Sequence, residues 1–194
     1  QIECELILFE EASKKKYKYY HLLSGIDMPL VSQDTIHVFF DNSDREFVCF
    51  DNHKDISGQV LERIKYYHFL ITWARSNNKL KKWFFGKFHY VQLCIQKFLK
   101  VNRIKDTLLE FRKGANWISI TDEFVRYILS EKNWIKKTFR FSYCADEIFV
   151  QTLLYNSRFY KNTIGFKNDD YKSIKRFIDW NRGKPYTFEL NDYD

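Results

Sequence analysis

The sequence predicts an α/β domain, and three observations predict it. The run Tyr17 to Leu23 is aromatic and apolar enough for a buried strand and is broken by Ser24-Gly25. The stretch Ala145 to Asn156 repeats Ile148, Phe149, Thr152, Leu153 and Tyr155 at helical spacing. Around these two, further helical and strand-like segments alternate along the chain, the pattern of a sheet covered by helices. With 45% hydrophobic and 19% aromatic residues among 194, the chain has the material for one sizeable core. Only 2 prolines and 6 glycines leave few places for a linker, so residues 1–194 are expected to form a single domain.

In chain order, Ile2 to about Lys16 reads as a helix with Ile2, Leu6, Phe9 and Leu8 toward one face. Lys14, Lys15 and Lys16 then place cations where a helix C-terminus favours them. After the strand Tyr17 to Leu23, the loop Gly25 to Pro29 falls at a strand's carboxyl end, where open α/β sheets bind ligands. Asp27 is the polar residue offered there, either to a ligand or to a turn before proline. Ser32 to Phe40 reads as a capped helix burying Ile36, Phe39 and Phe40, and Glu46 to Phe50 as a strand. Val60 to Trp73 fits helix and strand alike.

From Arg75 to Lys105 the chain carries nine Lys or Arg and no Asp or Glu, more than the whole net charge of +7. Trp83, Phe84, Phe85, Phe88 and Tyr90 are interleaved with them. One reading is a helix from about Lys87 to Val101 that buries Phe88, Val91, Leu93, Ile95 and Phe98 and turns its lysines to water. The other is a basic aromatic face, residues 75–105, that meets an anionic membrane surface. Nucleic acid is not an expected partner, because no RRM, KH or zinc signature accompanies the charge.

Lys113 to Ile120 reads as a loop entering a strand. Gly114 either admits a ligand close to the backbone or makes a turn, and Trp117 belongs to the core or to a site. Thr121 then caps a helix with Phe124, Ile128 and Leu129 facing inward. The basic, aromatic segment Trp134 to Phe141 leads to the helix of Asp146 and Glu147, with Ala145 or Asp146 as N-cap and Glu147 in the first turn. A carboxylate there meets the positive end of the helix dipole, a setting that suits a base and equally suits a simple cap. Tyr171 to Trp180 reads as a strand delivering Trp180 to the next loop.

Cys4, Cys49, Cys94 and Cys144 are widely spread without CxxC spacing, so neither a zinc site nor a disulfide framework is expected. No apolar run approaches the ~20 residues of a membrane span, and the first residues show no signal-peptide pattern.

Four segments follow one another in order: Tyr20-His21-Leu22-Leu23-Ser24-Gly25-Ile26-Asp27-Met28-Pro29-Leu30, Gly114-Ala115-Asn116-Trp117-Ile118-Ser119-Ile120, Asp146-Glu147, and Arg176-Phe177-Ile178-Asp179-Trp180. Together they resemble the core-2/I-branching glycosyltransferase family, which includes β-1,6-N-acetylglucosaminyltransferases and peptide O-xylosyltransferases. The resemblance runs from the first helix to about Pro185. It implies a GT-A-like fold, of which this chain is the central and acceptor-side part, a fragment lacking both ends. It implies an inverting enzyme that moves N-acetylglucosamine from UDP-N-acetylglucosamine to a sugar hydroxyl without a metal or other cofactor.

Under that resemblance Glu147 is the catalytic base, and Gly25, Asp27, Arg63, Trp117, Asp146 and Trp180 bind substrate. Asp27 stands alone where metal-dependent transferases carry a two-aspartate turn. Arg63, in Glu62-Arg63-Ile64-Lys65, matches an acceptor-contacting arginine, although the residues alone fit a surface ion pair. Trp180 resembles a tryptophan that stacks on the acceptor sugar, whose CH face suits an aromatic ring. The arginine and lysine that meet the diphosphate are expected downstream of Asp194. The setting implied is glycan or surface-polysaccharide synthesis, membrane-associated, at the cytoplasmic face in a bacterium or in the Golgi lumen of a eukaryote. Two alternatives stand beside it: UDP-xylose with a protein serine as acceptor, and a non-catalytic glycan-binding or membrane-surface module.

Overall fold

Leu6 and Phe9, one helical turn apart, fix the first helix, α1 (Ile2–Ala12), by burying themselves in the main core. The structure, a computed structural model, describes residues 1–51, 58–164, 172–183 and 186–192. Leu8 faces solvent, and the helix stops at Ser13, so Lys14, Lys15 and Lys16 lie past its end as an exposed turn. The expected extension to Lys16 fails because, after Ala12 packs on the core, positions 13–16 offer only serine and lysine.

Strand β1 (Tyr19–Leu22) is shorter than the aromatic run that predicts it, and only Tyr19 and Tyr20 are buried. It pairs antiparallel with β2 (Ile118–Thr121) in the register Tyr19↔Thr121 to Leu22↔Ile118. Helix α2 (Gln33–Asp41) begins where the sequence places its cap, with Thr35 N donating to Ser32 Oγ at 3.3 Å. It buries Phe40 beside Tyr19 and Phe47, with Ile36 half-buried and Phe39 exposed.

The segment predicted as a strand from Glu46 to Phe50 runs antiparallel to the β2 approach as an irregular third member of the sheet. Phe47 exchanges backbone hydrogen bonds with Ser119, and Asp51 N donates to Lys113 O at 2.8 Å. Four steps on one side thus face six on the other, so a regular ladder cannot form. Buried Glu46 closes its far end by accepting from Thr121 N and Thr121 Oγ1 at 3.0 and 2.6 Å.

The ambiguous stretch after residue 58 becomes α3 (Gly58–Lys65), a turn, and a short 3-10 segment Ile71–Arg75. Helix α4 (Lys79–Phe98) starts eight residues earlier than predicted; its lysines face water as expected, and Phe88 and Leu93, two of the five residues expected inside, are half-buried. Its buried residues are Gln92 and Gln96, whereas Val91, Ile95 and Phe98 are exposed. The cause lies opposite, in the irregular backbone of residues 67–69. Tyr67 N donates to Gln96 Oε1 at 2.8 Å, Gln96 Nε2 donates to Tyr67 O at 2.9 Å, and Phe69 N donates to Gln92 Oε1 at 3.4 Å. Backbone groups that no helix or strand satisfies need amide partners, and glutamines supply them where leucines would not.

Thr121 ends β2 and caps α5 (Asp122–Ser130) as predicted, and Phe124, Val125 and Ile128 join the core. Helices α6 (Lys132–Phe139) and α7 (Asp146–Tyr155) complete it; α7 buries most of its length, including Ile148, Phe149, Val150 and Leu154. The expected strand Tyr171 to Trp180 is not formed in its described part, residues 172–180. A 3-10 turn, Lys172–Ile174, leads into irregular chain, with Lys175 in the left-handed region. The fold is therefore mixed and helix-rich with a small antiparallel sheet, compatible with the α/β class. No helix among the described residues is long and apolar enough to cross a membrane.

Candidate active site

The loop that delivers α7 is strained and pinned. Phe141 and Cys144 have φ of 63° and 46°, a region costing a non-glycine residue about 1–2 kcal/mol. His68 N donates to Phe141 O and Tyr143 N donates to Arg63 O, both at 2.8 Å, so the end of α3 and the chain beyond it hold this loop in place. Ala145 occupies the N-cap position without a side-chain acceptor, and the two adjacent carboxylates begin the helix. Neighbouring helix positions diverge by about 100°. Asp146 accordingly turns inward, 8% exposed, and burial pushes its carboxyl above the usual range. Glu147 turns outward with a side chain 39% exposed.

Two cations converge on Glu147. Arg63 Nη1 lies 3.2 Å from Oε2, and Lys113 Nζ lies 3.7 Å from the same oxygen while holding Asp51 Oδ2 at 2.8 Å. Burial works against the Lys113 charge, but the Asp51 hydrogen bond and the attraction of Asp51 and Glu147 outweigh it, so its ammonium is held above the ordinary lysine range. Arg63 thus forms an ion pair with the residue the sequence marks as base. Glu62, its chain neighbour, pairs instead with Lys97 at 2.8 Å.

Gly114 brings two stretches of backbone together. Its N–H donates to Glu147 O at 3.0 Å, and a Cβ placed on it would stand 2.0 Å from Cys49 O, so only glycine lets the two backbones lie this close. Ala115 N donates to Cys49 Sγ at 3.1 Å, and Gln151 Nε2 donates to Ala115 O at 2.9 Å, tying the loop to α7. The same loop reaches α1 through Asn116 Nδ2, which donates to Glu5 Oε1 at 2.9 Å. Glu5 is buried, and burial raises its carboxyl to about 7.

A second polar group sits past the end of β1. Asp27 fixes its own turn by accepting from Ser24 N and Ser24 Oγ, both at 2.8 Å, while Gly25 is exposed with open space beside it. Arg176, within the last of the four resembling segments, donates through Nη2 to Ser119 Oγ at 3.1 Å, and Ser119 Oγ lies 2.8 Å from His21 Nδ1. The serine hydroxyl has one proton and two lone pairs, so it accepts from arginine and can either give to or accept from Nδ1, and a neutral imidazole suits both. Burial and the Arg176 charge agree, holding His21 down at about 4. Trp117 is half-buried at the entry to β2, and Trp180 is exposed on the irregular chain after Arg176. Ser119 lies five positions after Gly114, so the loop that holds Glu147 O leads directly into the strand that meets Arg176.

Of the residues the sequence marks, the structure brings Arg63 to Glu147 and leaves Asp146 buried beneath them; Gly25 and Asp27 belong to the other group. Lys113 and Asp51 were missed. The only signal for Lys113 is its place immediately before Gly114. Asp51 carries none, because the pairing of its segment with residue 113 is irregular. Among the described residues, no three or more His, Cys, Asp or Glu are grouped to hold a metal ion.

A family model described as Core-2/I-Branching enzyme matches residues 1–194. The chain belongs to this family. Family members are glycosyltransferases, which suggests a nucleotide sugar and a glycan acceptor as substrates. No curated protein and no solved structure matches the chain at a significant level. On the first turn of α7, Glu147 presents a partly exposed carboxylate with Arg63 and Lys113 on one of its oxygens.

Proposed function

We propose that this chain is the central and acceptor-side part of an inverting, metal-independent glycosyltransferase with a GT-A-like fold. It transfers N-acetylglucosamine from UDP-N-acetylglucosamine to a sugar hydroxyl, in β-1,6 branching of a glycan or surface polysaccharide. The observation that carries the reading is Glu147: a carboxylate at a helix start, partly exposed, with two cations on one of its oxygens and its backbone locked by Gly114.

In the proposed reaction the acceptor oxygen attacks the anomeric carbon from the face opposite the diphosphate. As the new C–O bond forms, the bond from the anomeric carbon to the phosphate oxygen breaks, and Glu147 takes the hydroxyl proton. One displacement inverts the centre. Arg63 and Lys113 keep the carboxylate oriented before the acceptor arrives, so less ordering remains to be done in the transition state. Trp180 and Trp117 offer aromatic faces to the sugar rings. The lone Asp27, tied to its own turn, supports a site that does not depend on a metal held by paired aspartates.

Calorimetric titration with UDP-N-acetylglucosamine and with UDP-xylose, in the presence of a chelator, tests the reading. Selective binding of the first supports the donor and the metal independence together. Binding of UDP-xylose alone moves the assignment to a xylosyltransferase, and binding of neither by a folded parent enzyme removes the metal-free reading.

A further inference from the structure

Helix α4 docks through its glutamines and through half-buried Phe85, Phe88 and Leu93, and leaves its lysines together with a second set of apolar residues in solvent. Gln92 and Gln96 dock it, and His89 joins them, with His89 Nε2 lying 2.9 Å from His68 Nδ1. On the opposite side Leu80, Trp83, Tyr90, Val91 and Phe98 fall within a sector of about 100°, and Phe98, Leu80 and Tyr90 are 86%, 77% and 71% exposed. Lys87 lies within this sector and Lys79 on its edge, both exposed, and no acidic residue occurs between Arg75 and Lys105. Lys82, Trp83, Gly86, Lys87 and Tyr90 line a shallow depression open to solvent, and nothing lies within 4 Å of where a Cβ on Gly86 would stand.

We propose that α4 is an interfacial helix that lies flat on a bilayer containing anionic lipid, with Leu80, Val91 and Phe98 among the acyl chains. Trp83 and Tyr90 sit at headgroup depth, and the depression between Lys82 and Lys87 receives a lipid phosphate. Charge selects this occupant. A second copy of the same face would set lysines against lysines with no acid to answer them, whereas an anionic surface answers every one. An apolar face with lysines on and beside it and aromatic rings at its edge is also the composition that binds in the interface plane, and its lysine stems run along the acyl boundary with their charges in the headgroups. The inference is independent of which sugar the enzyme transfers.

Co-sedimentation with vesicles of phosphatidylcholine, with and without phosphatidylglycerol, tests it. The chain is expected to bind the anionic vesicles about tenfold or more above the neutral ones, with binding that falls as salt rises. The double variant Trp83→Glu with Phe98→Glu is expected to lose that binding by a similar factor while keeping its circular dichroism, because neither side chain packs in the core. Lys79→Glu with Lys87→Glu tests the same surface through charge alone should the first variant fold poorly. Absence of anionic-vesicle binding by the folded chain overturns the proposal, as does binding that neither variant weakens. Self-association in the absence of vesicles that the Trp83 and Phe98 changes abolish would assign the face to a second copy, and would overturn it too.

Discussion

Arg63 and Glu147 meet across 84 positions of sequence, with Nη1 3.2 Å from Oε2, and the contact joins the end of α3 to the start of α7. Arg63 also contributes its carbonyl to Tyr143 N, so the same residue that touches the carboxylate braces the strained loop before it. Both partners of the ion pair are partly exposed, which limits what the pair adds to stability. Its weight falls on orientation of the carboxylate.

Arg63→Met is therefore expected to change unfolding free energy by less than about 1 kcal/mol and to reduce transfer by about tenfold to a hundredfold. Denaturant melts beside initial rates check this. Proportionate loss of both would mark Arg63 as a structural brace alone.

Glu147→Gln keeps the size and the backbone contact with Gly114 but cannot take a proton. Transfer is expected to fall by about 10²–10⁴ with donor affinity near that of the parent, measured by calorimetry and by release of the nucleotide diphosphate. If donor binding and turnover drop together, the residue is a cap on α7 and the base lies elsewhere.

Local chemistry is what the sequence displays well. Ser32, Thr121 and the Asp146-Glu147 start announce helix beginnings within a residue, because a cap acts on neighbours a few positions away. The direction of α4 was illegible, since its apolar residues are as numerous as those of a core helix. What decides its orientation is the unpaired backbone of residues 67–69, far off in sequence. Tyr171 to Trp180 looks like a strand by composition, yet its described part, residues 172–180, forms a 3-10 turn and irregular chain with Lys175 in the left-handed region. At the site, Glu147 stands out through its dipole setting, whereas Lys113 and Asp51 come together only through a pairing with unequal numbers of residues on its two sides.

Gly114→Ala measures how tightly that pairing is built. The added methyl would meet the Cys49 carbonyl at 2.0 Å, and backbone does not yield as a flexible side chain does. A loss of about 1–3 kcal/mol in urea unfolding is expected, together with reduced transfer as the Gly114 hold on Glu147 O loosens. Unchanged stability would show that the loop can move away from Cys49 freely and that the glycine has some other use.

The pH dependence of folding tests the buried face of the same loop. Glu5, hydrogen-bonded to Asn116, is raised by burial to about 7, well above an exposed glutamate. A raised carboxyl binds its proton more tightly folded than unfolded, so its contribution to stability is greatest in acid and is lost as pH climbs from the ordinary glutamate range to about 7. Above that point the folded chain carries a buried charge at a cost on the order of 3 kcal/mol. Glu5→Gln carries no such charge at any pH. Its urea midpoint is expected to match the parent's near pH ~4 and to exceed it increasingly toward pH ~8. The Asp146 charge pushes Glu5 further up, so the difference between the two proteins includes the coupling of these two carboxyls. Parallel curves for the two proteins would mean that Glu5 is already ionised in the folded chain, and that the contact between α1 and the Asn116 loop is a solvated one.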